Sequence, residues 1–521
     1  MSKKTVVQGA IIVLAASILT RILGFVFRIY ISNQLGAEGM GLYQLVLSLY
    51  MLVVTFATSG ISIAVSRMVA EQLEVNRYGS KKTVLRMSVT YSLLVSLGVA
   101  FLLFWCAEPL GNYILKDPRT VLSLKYLAPS IPFMAVAACI KGYYYALRKS
   151  FMPSSAQVIE QIVKMAFIMV VIQLWLPYGD EYACAAAVLG MTVGEISSCV
   201  YAVCMYFAGK TKEKKQVYKR RVAMKTILQI SLPIQFSSTF HSLLRLAENL
   251  MIIAGLKVFS GGDSSQAIGL YGILKGMVLP LLAFPTSLLS ALVTTLIPEV
   301  AGANAGGKCQ TVSRAVRKVL QLTLLMSVVI VALFMIFPNE IGVLLYGEQQ
   351  VGQMLQMLCF ICPLMYLEMV TVGILNAIGE QMKPMQYNII DAVLRIGLIW
   401  LFVPLGGIQA FLWIMIGSNL FTSILNLRRL LKVTGVKPDY KNWMVKPAIA
   451  AAATGLLVRL GCQLLSGYGF QGWLMIGAGC CITIVIYIVL LFALGCVKKK
   501  DLLWLKDCFR SKKSAVSSTK H

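Results

Sequence analysis

A chain of 521 residues that is 58% hydrophobic and only 13% charged falls far below the charge content of a soluble surface, about 25%, which excludes a water-soluble globular protein. The net charge of +27 would fit a nucleic-acid binder, but the basic residues stand between apolar runs of about 20 residues, so the excess belongs to membrane loops and no nucleic-acid partner is expected. Thirteen cysteines lie mostly inside those runs, Cys359 and Cys362 lack a second ligand pair, and the only histidines are His241 and His521, so no metal site is expected.

The pattern is that of an all-α polytopic membrane protein with fourteen transmembrane helices. Lys3 and Lys4 precede the first span, 6–32, which has no small-residue cleavage site and reads as an uncleaved helix. It carries Arg21 and Arg28, two turns apart and therefore on one face. Spans 40–66, 84–106 and 121–146 follow, the last with Lys141. The fifth, 153–176, holds Glu160 and Lys164, an i,i+4 pair able to close an ion pair on one helix. The sixth, 181–208, holds Glu195. A basic linker, 209–225, leads to span 226–256 with His241, Arg245 and Glu248, and to span 267–297 with Lys275.

Between that span and the ninth, Gly302 to Cys309 nearly reads as a phosphate-binding loop. It fails where Cys309 replaces the Ser or Thr that would reach magnesium, and no nucleotide or other cofactor is expected. Span 315–337 precedes 352–378, which holds Glu368. Span 384–404 repeats the acid–base spacing as Asp391 and Arg395, and span 407–427 completes a second set of six. Two further spans, 443–465 and 472–496, and a basic tail, 498–521, have no counterpart in the first half. The expected domains are therefore 1–208, the linker 209–225, 226–432, the added pair 433–497 and the tail.

Loops rich in Lys and Arg alternate with acidic ones along this series, which puts both termini in the cytoplasm. The loop at Glu380 and Lys383 fits that alternation least well. The halves also match internally. Pro132, Met134, Gly142, Ala146, Pro153, Glu160 and Lys164 recur at a constant offset of 231 as Pro363, Met365, Gly373, Ala377, Pro384, Asp391 and Arg395. Gly41-Leu42-Tyr43 recurs as Gly269-Leu270-Tyr271. An even number of spans per half makes the repeats parallel, as in one class of secondary transporters with alternating access.

Ionisable residues inside a bilayer face a partner or a wet cavity. The two i,i+4 pairs read first as self-neutralising locks. Arg21, Arg28 and Arg245 are the candidates for a cavity, where guanidinium groups suit a phosphate held bidentately; for Arg28, a position at the membrane edge competes. Glu195, Glu248 and Glu368 are the candidate acids for a coupling ion, H+ or Na+.

Thr20-Arg21-Ile22-Leu23-Gly24-Phe25 and Leu35-Gly36-Ala37-Glu38-Gly39-Met40-Gly41-Leu42-Tyr43 resemble the multidrug/oligosaccharidyl-lipid/polysaccharide exporter superfamily. Lys141-Gly142-Tyr143-Tyr144, the stretch from Val158 to Lys164, Leu176-Pro177-Tyr178-Gly179 and Ser231-Leu232-Pro233 are similar to its stage V sporulation protein B branch. The resemblance implies a V-shaped pair of six-helix bundles in a bacterial plasma membrane. It also implies flipping of an undecaprenyl-diphosphate-linked glycan, in this branch a peptidoglycan precursor for spore cortex. Arg21 matches the first arginine of the span-one motif of the related lipid II flippases. Arg28 sits one position past their second, Ile29 stands where an aspartate follows, and span two lacks their central arginine, so the pyrophosphate set carries over only in part. Three other readings compete: a multidrug–cation antiporter, a membrane enzyme, and a scaffold for cell-wall synthesis proteins. Short outer loops and a single intramembrane histidine count against the enzyme.

Overall fold

The computed structural model describes residues 3–74, 80–209, 220–287, 289–290, 300–304, 306–307, 309–466 and 473–497. Arg77, the linker segment 210–219 and the tail from residue 498 lie outside the described residues. Every long element is a helix, and no strand occurs among the described residues. Apolar runs of this length leave no alternative, because lipid offers nothing to hydrogen-bond an open strand edge.

In chain order the helices are α1 (Lys3–Thr58), α2 (Ile61–Glu74), α3 (Ser80–Trp105), α4 (Thr120–Leu127), α5 (Ser130–Ala146), α6 (Phe151–Trp175), α7 (Asp180–Ala208), α8 (Arg220–Phe259) and α9 (Ser264–Gly272). They continue as α10 (Cys309–Ile336), α11 (Gln349–Leu358), α12 (Ile361–Ala377), α13 (Met382–Thr434), α14 (Lys446–Ser466) and α15 (Trp473–Ala493). Among the described residues, eight helices are long and apolar enough to cross a membrane. Ten segments qualify when each bent pair, α4 with α5 (40°) and α11 with α12 (60°), counts as one crossing.

Part of the difference from fourteen separate spans has a local cause. No loop divides spans one and two, or eleven and twelve. A single glycine does each job, Gly36 inside α1 (φ 65°, ψ −171°) and Gly407 inside α13 (φ 57°, ψ −143°). Both lie in backbone regions that a residue with a Cβ avoids. At α13, Pro404 has already removed one helical donor just upstream.

The chain forms two compact units, 1–254 with 263–272, and 255–262 with 273–521. In the first, Ile61, Val65 and Met68 of α2 pack with Cys139, Ile140 and Tyr143 of α5 and Ala202 of α7. Small residues let its backbones meet: Gly272 of α9 lies directly on Ala37 and Gly41 of α1, and Gly41 lies on Ile268. In the second unit, Val316, Leu320 and Leu324 of α10 pack with Val370 and Ile374 of α12, Leu430 of α13 and Trp443. Helices α14 and α15 cover another face of α10 through Leu325, Ala450, Tyr487 and Leu491, and the Tyr487 hydroxyl donates to Leu325 O at 3.1 Å. The outward faces stay apolar, with Leu94, Phe101, Leu405 and Trp413 exposed, as helices bathed in lipid require.

Candidate functional site: two buried charge clusters

The first cluster is assembled on α6 and α7. Gly190 and Gly194, four residues apart on α7, lie against Ile168, Glu160 and Lys164 of α6. A Cβ at Gly194 would stand 3.0 Å from Lys164 Cβ and 3.1 Å from Glu160 O. This small-xxx-small face brings the two backbones together, the usual way that membrane helices approach closely. Glu195 follows Gly194 directly, and its carboxyl lies in the field of Glu160, Lys141 and Lys164.

Helix α5 adds a cation. Lys141 Nζ lies 3.5 Å from Glu160 Oε2, with the two side chains 19% and 22% exposed. The expected Glu160–Lys164 pairing thus extends across helices: Lys141 is the ion-pair partner of Glu160, while Lys164 sits in the field of both Glu160 and Glu195. Helix α1 supplies Arg28, half-buried, whose charge reaches Lys164 and the Tyr43 ring. No carboxylate pairs with Arg28 among the described residues. One turn earlier, a Cβ at Gly24 would stand 3.7 Å from Gln161 Nε2 of α6. The cluster holds three cations against two carboxyl groups, an arrangement suited to an anion.

The second cluster lies on α12 and α13, in the second unit. Arg395 Nη2 lies 3.6 Å from Asp391 Oδ2, the i,i+4 pair expected on α13. Beyond the Gly407 break, α13 returns hydroxyls to it. Ser418 Oγ donates to Asp391 Oδ1 at 2.6 Å, and Thr422 Oγ1 donates to Glu368 Oε2 of α12 at 3.0 Å. Glu368 also lies in the field of Asp391 and Arg395. Glu368 and Asp391 thus lie around Arg395, whereas the first cluster gathers Lys141, Lys164 and Arg28 about Glu160 and Glu195.

Arg21 and Arg245 are exposed, and Glu248, three residues past Arg245, is only 6% exposed. Sequence reasoning listed Lys141 as a lone charge and missed Ser418 and Thr422, since nothing about a hydroxyl in an apolar run announces its partner. The Gly190–Gly194 spacing was the available signal for where α7 meets α6.

Outside the spans, charge is tied up structurally. Arg119 donates Nη1 to Glu38 Oε1 at 2.7 Å and Nη2 to Asp117 Oδ2 at 2.9 Å. Its guanidinium is held well above its ordinary range, chiefly by the Asp117 hydrogen bond. Glu38 also accepts from the Ser265 hydroxyl at the start of α9. The Lys125 ammonium, hydrogen-bonded at 2.8 Å, holds the Glu108 carboxyl below its usual value. On the basic side, Arg429 grips Glu380 through Nε and Nη2 at 2.7–3.2 Å.

The model of the polysaccharide biosynthesis protein family matches residues 6–304. The chain belongs to that family. Within the exporter superfamily it falls in the stage V sporulation protein B-like branch, and a second model, MatE, matches residues 233–401. Stage V sporulation protein B of Bacillus subtilis (strain 168) is 27% identical over 515 residues, covering 96% of this chain and 98% of that protein. The lipid II flippase MurJ of the same organism is 22% identical over 374 residues, 66% of this chain and 64% of its own. Among solved structures, lipid II flippase MurJ in an inward closed conformation matches with a TM-score of 0.66 at 16% identity, over 92% of this chain and 98% of that one. An inward-facing MATE multidrug transporter matches with a TM-score of 0.63 at 15% identity, over 82% and 98%. These likenesses establish a multi-pass membrane transporter fold for this member of the polysaccharide biosynthesis protein family.

Proposed function

We propose that this protein is a flippase that carries an undecaprenyl-diphosphate-linked glycan across the bacterial cytoplasmic membrane by alternating access. The glycan on this reading is a peptidoglycan precursor, used in spore cortex synthesis beside cell-wall synthesis proteins. Near full-length similarity to stage V sporulation protein B supports the branch. The observation that carries the substrate class is Arg28, a half-buried guanidinium with no carboxylate partner among the described residues, whose charge acts on Lys164. Such a group is costly inside a membrane unless an anion completes it, and a diphosphate accepts from guanidinium in the bidentate way. Arg21 and Arg245 extend the set.

The same reading takes the chain across the membrane fourteen times. Dividing the two long runs at Gly36 and Gly407, counting each bent pair once, and adding α8 and the shorter apolar segment Gly477–Ala493 to the eight spans supports that number. Two parallel six-span repeats, 1–208 and 226–432, then flank the linker 209–225, with 433–497 as an added pair and the tail 498–521. Both termini are cytoplasmic.

The test is translocation of a fluorescent undecaprenyl-diphosphate glycan in proteoliposomes. Wild type is expected to flip it. Arg28→Ala and Arg21→Ala are each expected to weaken substrate binding by about 1.5–3 kcal/mol, roughly ten- to a hundredfold. Active arginine variants would leave the function and remove this site. Wild-type protein that flips no glycan but exports an organic cation would favour the antiporter reading, for which the carboxylates Glu368 and Asp391 speak.

A further inference from the structure

We propose that the start of α10, the end of α13 and the segment 436–446 together form a binding site for the headgroup of an anionic phospholipid, of the phosphatidylglycerol class. Three separate stretches of chain meet there, all within the second unit. Val312 and Val316 of α10, Leu430 of α13, and Val436 and Trp443 beyond it pack as one buried cluster. The residues interspersed with them are basic and exposed: Arg314 and Arg317 on α10, Arg428 and Lys432 on α13, then Lys437 and Lys441. Arg314 and Arg317 are three apart, and Arg428 and Lys432 four apart, so each pair shares one helix face.

None of these six cations closes an ion pair among the described residues. Their basic neighbours are already engaged, Arg429 by Glu380 and Lys446 by Leu494 O, to which it donates at 3.1 Å. The one acid between Arg428 and Lys446 is Asp439. Its carboxyl accepts from the Asn442 amide at 2.7 Å. That hydrogen bond, with the fields of Arg317 and Lys446, holds it below the usual carboxylate range. Asp439 therefore sits beside α10 as well as α14, which makes the basic patch continuous across the three stretches. A single engaged carboxylate leaves most of the positive charge for an anion from outside.

The apolar rim identifies what carries that anion. Tyr440, Met444, Val445 and Ile449 are each more than half exposed, directly beside Lys437 and Lys441. A soluble phosphate or an acidic protein face gains little from bare Met and Val side chains. A phospholipid places acyl chains next to its phosphate, and cations flanked by exposed apolar and Tyr side chains are what a headgroup region selects.

The site stands apart from the flippase reading, and its test measures binding, not transport. Native mass spectrometry of the full-length protein in detergent, with equal amounts of dioleoylphosphatidylglycerol and dioleoylphosphatidylcholine added, counts the lipids retained. Wild type is expected to retain phosphatidylglycerol preferentially. Arg317→Gln, Lys437→Gln and Lys441→Gln, each expected to cost about fivefold in affinity, should together abolish the preference. Should that triple variant fail to fold, Lys437→Gln with Lys441→Gln is expected to lower it roughly twenty-fivefold. Removing as many exposed charges from the first unit, as Arg86→Gln, Arg148→Gln and Lys149→Gln, is expected to leave it intact. Equal loss in both triple variants would make the preference a diffuse effect of net charge and overturn the site, as would a wild type without preference. Glycerol phosphate, which has no acyl chains, is expected to compete only at far higher concentration. Displacement of the lipid by an equal concentration of it would assign the patch to a soluble anion and overturn the lipid reading.

Discussion

Asp391 pairs with the Arg395 guanidinium and accepts from the Ser418 hydroxyl, and its loss removes the carboxylate that Arg395 meets one turn away on its own helix. Breaking one partner of a buried pair costs about 3–5 kcal/mol, whereas replacing both can be close to neutral. Asp391→Ala is therefore expected to lower the melting temperature in detergent sharply, and Asp391→Leu with Arg395→Met to restore most of it. Equal damage from single and double variants would show that neither charge is there for the other. The i,i+4 spacing made this pair legible in the sequence, because helical periodicity fixes which neighbours share a face. It could not reveal that Lys141, from another helix, is the partner of Glu160, nor that Ser418 and Thr422 serve the second cluster. Thr422 also bonds its own Ser418 carbonyl, the default for a hydroxyl in an apolar helix, so its second role leaves no mark in the sequence.

Helices α6 and α7 meet along a glycine face, where a Cβ at Gly190 would run into the Ile168 side chain and one at Gly194 would stand 3.0 Å from Lys164 Cβ and 3.1 Å from Glu160 O. Gly194→Leu is expected to force them apart and cost about 1–3 kcal/mol, as overpacking does, measured as a drop in thermal stability. A stable Gly194→Leu protein would mean the helices have room to slide. The element-level reading of the sequence succeeded where hydropathy decides and failed where one residue does. Leu35-Gly36-Ala37-Glu38-Gly39 reads as a loop by composition, yet the chain stays helical on both sides of Gly36. Only the backbone angle at that glycine, φ 65°, marks the break. Gly36→Val should cost at least about 1–2 kcal/mol, the penalty for a Cβ in a left-handed region, and a change smaller than that would show that the break can relax.

At the scale of the whole molecule, orientation follows from loop charge. The loop at Glu380 was the one that fitted least well, and the structure explains the acid there: Arg429 neutralises it in a two-toothed grip. Glu380 thus subtracts little from the basic side. A C-terminal fluorescent-protein fusion is expected to be bright and a C-terminal alkaline phosphatase fusion inactive, as a cytoplasmic tail requires; the opposite pattern would invert every loop. Helices α14 and α15 matter for stability through one face of α10, where Tyr487 and Leu491 cover Leu325. Removing residues from Lys446 onward should leave that face to lipid and lower the yield of folded protein more than it alters the first unit.

The crossing of α1 and α9 joins two copies of one tripeptide, Gly41-Leu42-Tyr43 beside Gly269-Leu270-Tyr271, with Gly41 and Gly272 in backbone contact. On the parallel-repeat reading, a half-length ancestor would have placed this strip against its own copy, across the axis of a homodimer. There a single mutation changes both sides of the joint at once, and both must remain small. On that reading fusion into one chain would have freed the two sides to differ, and Glu38, which accepts from Ser265, makes a contact that identical halves would have had to make twice or not at all.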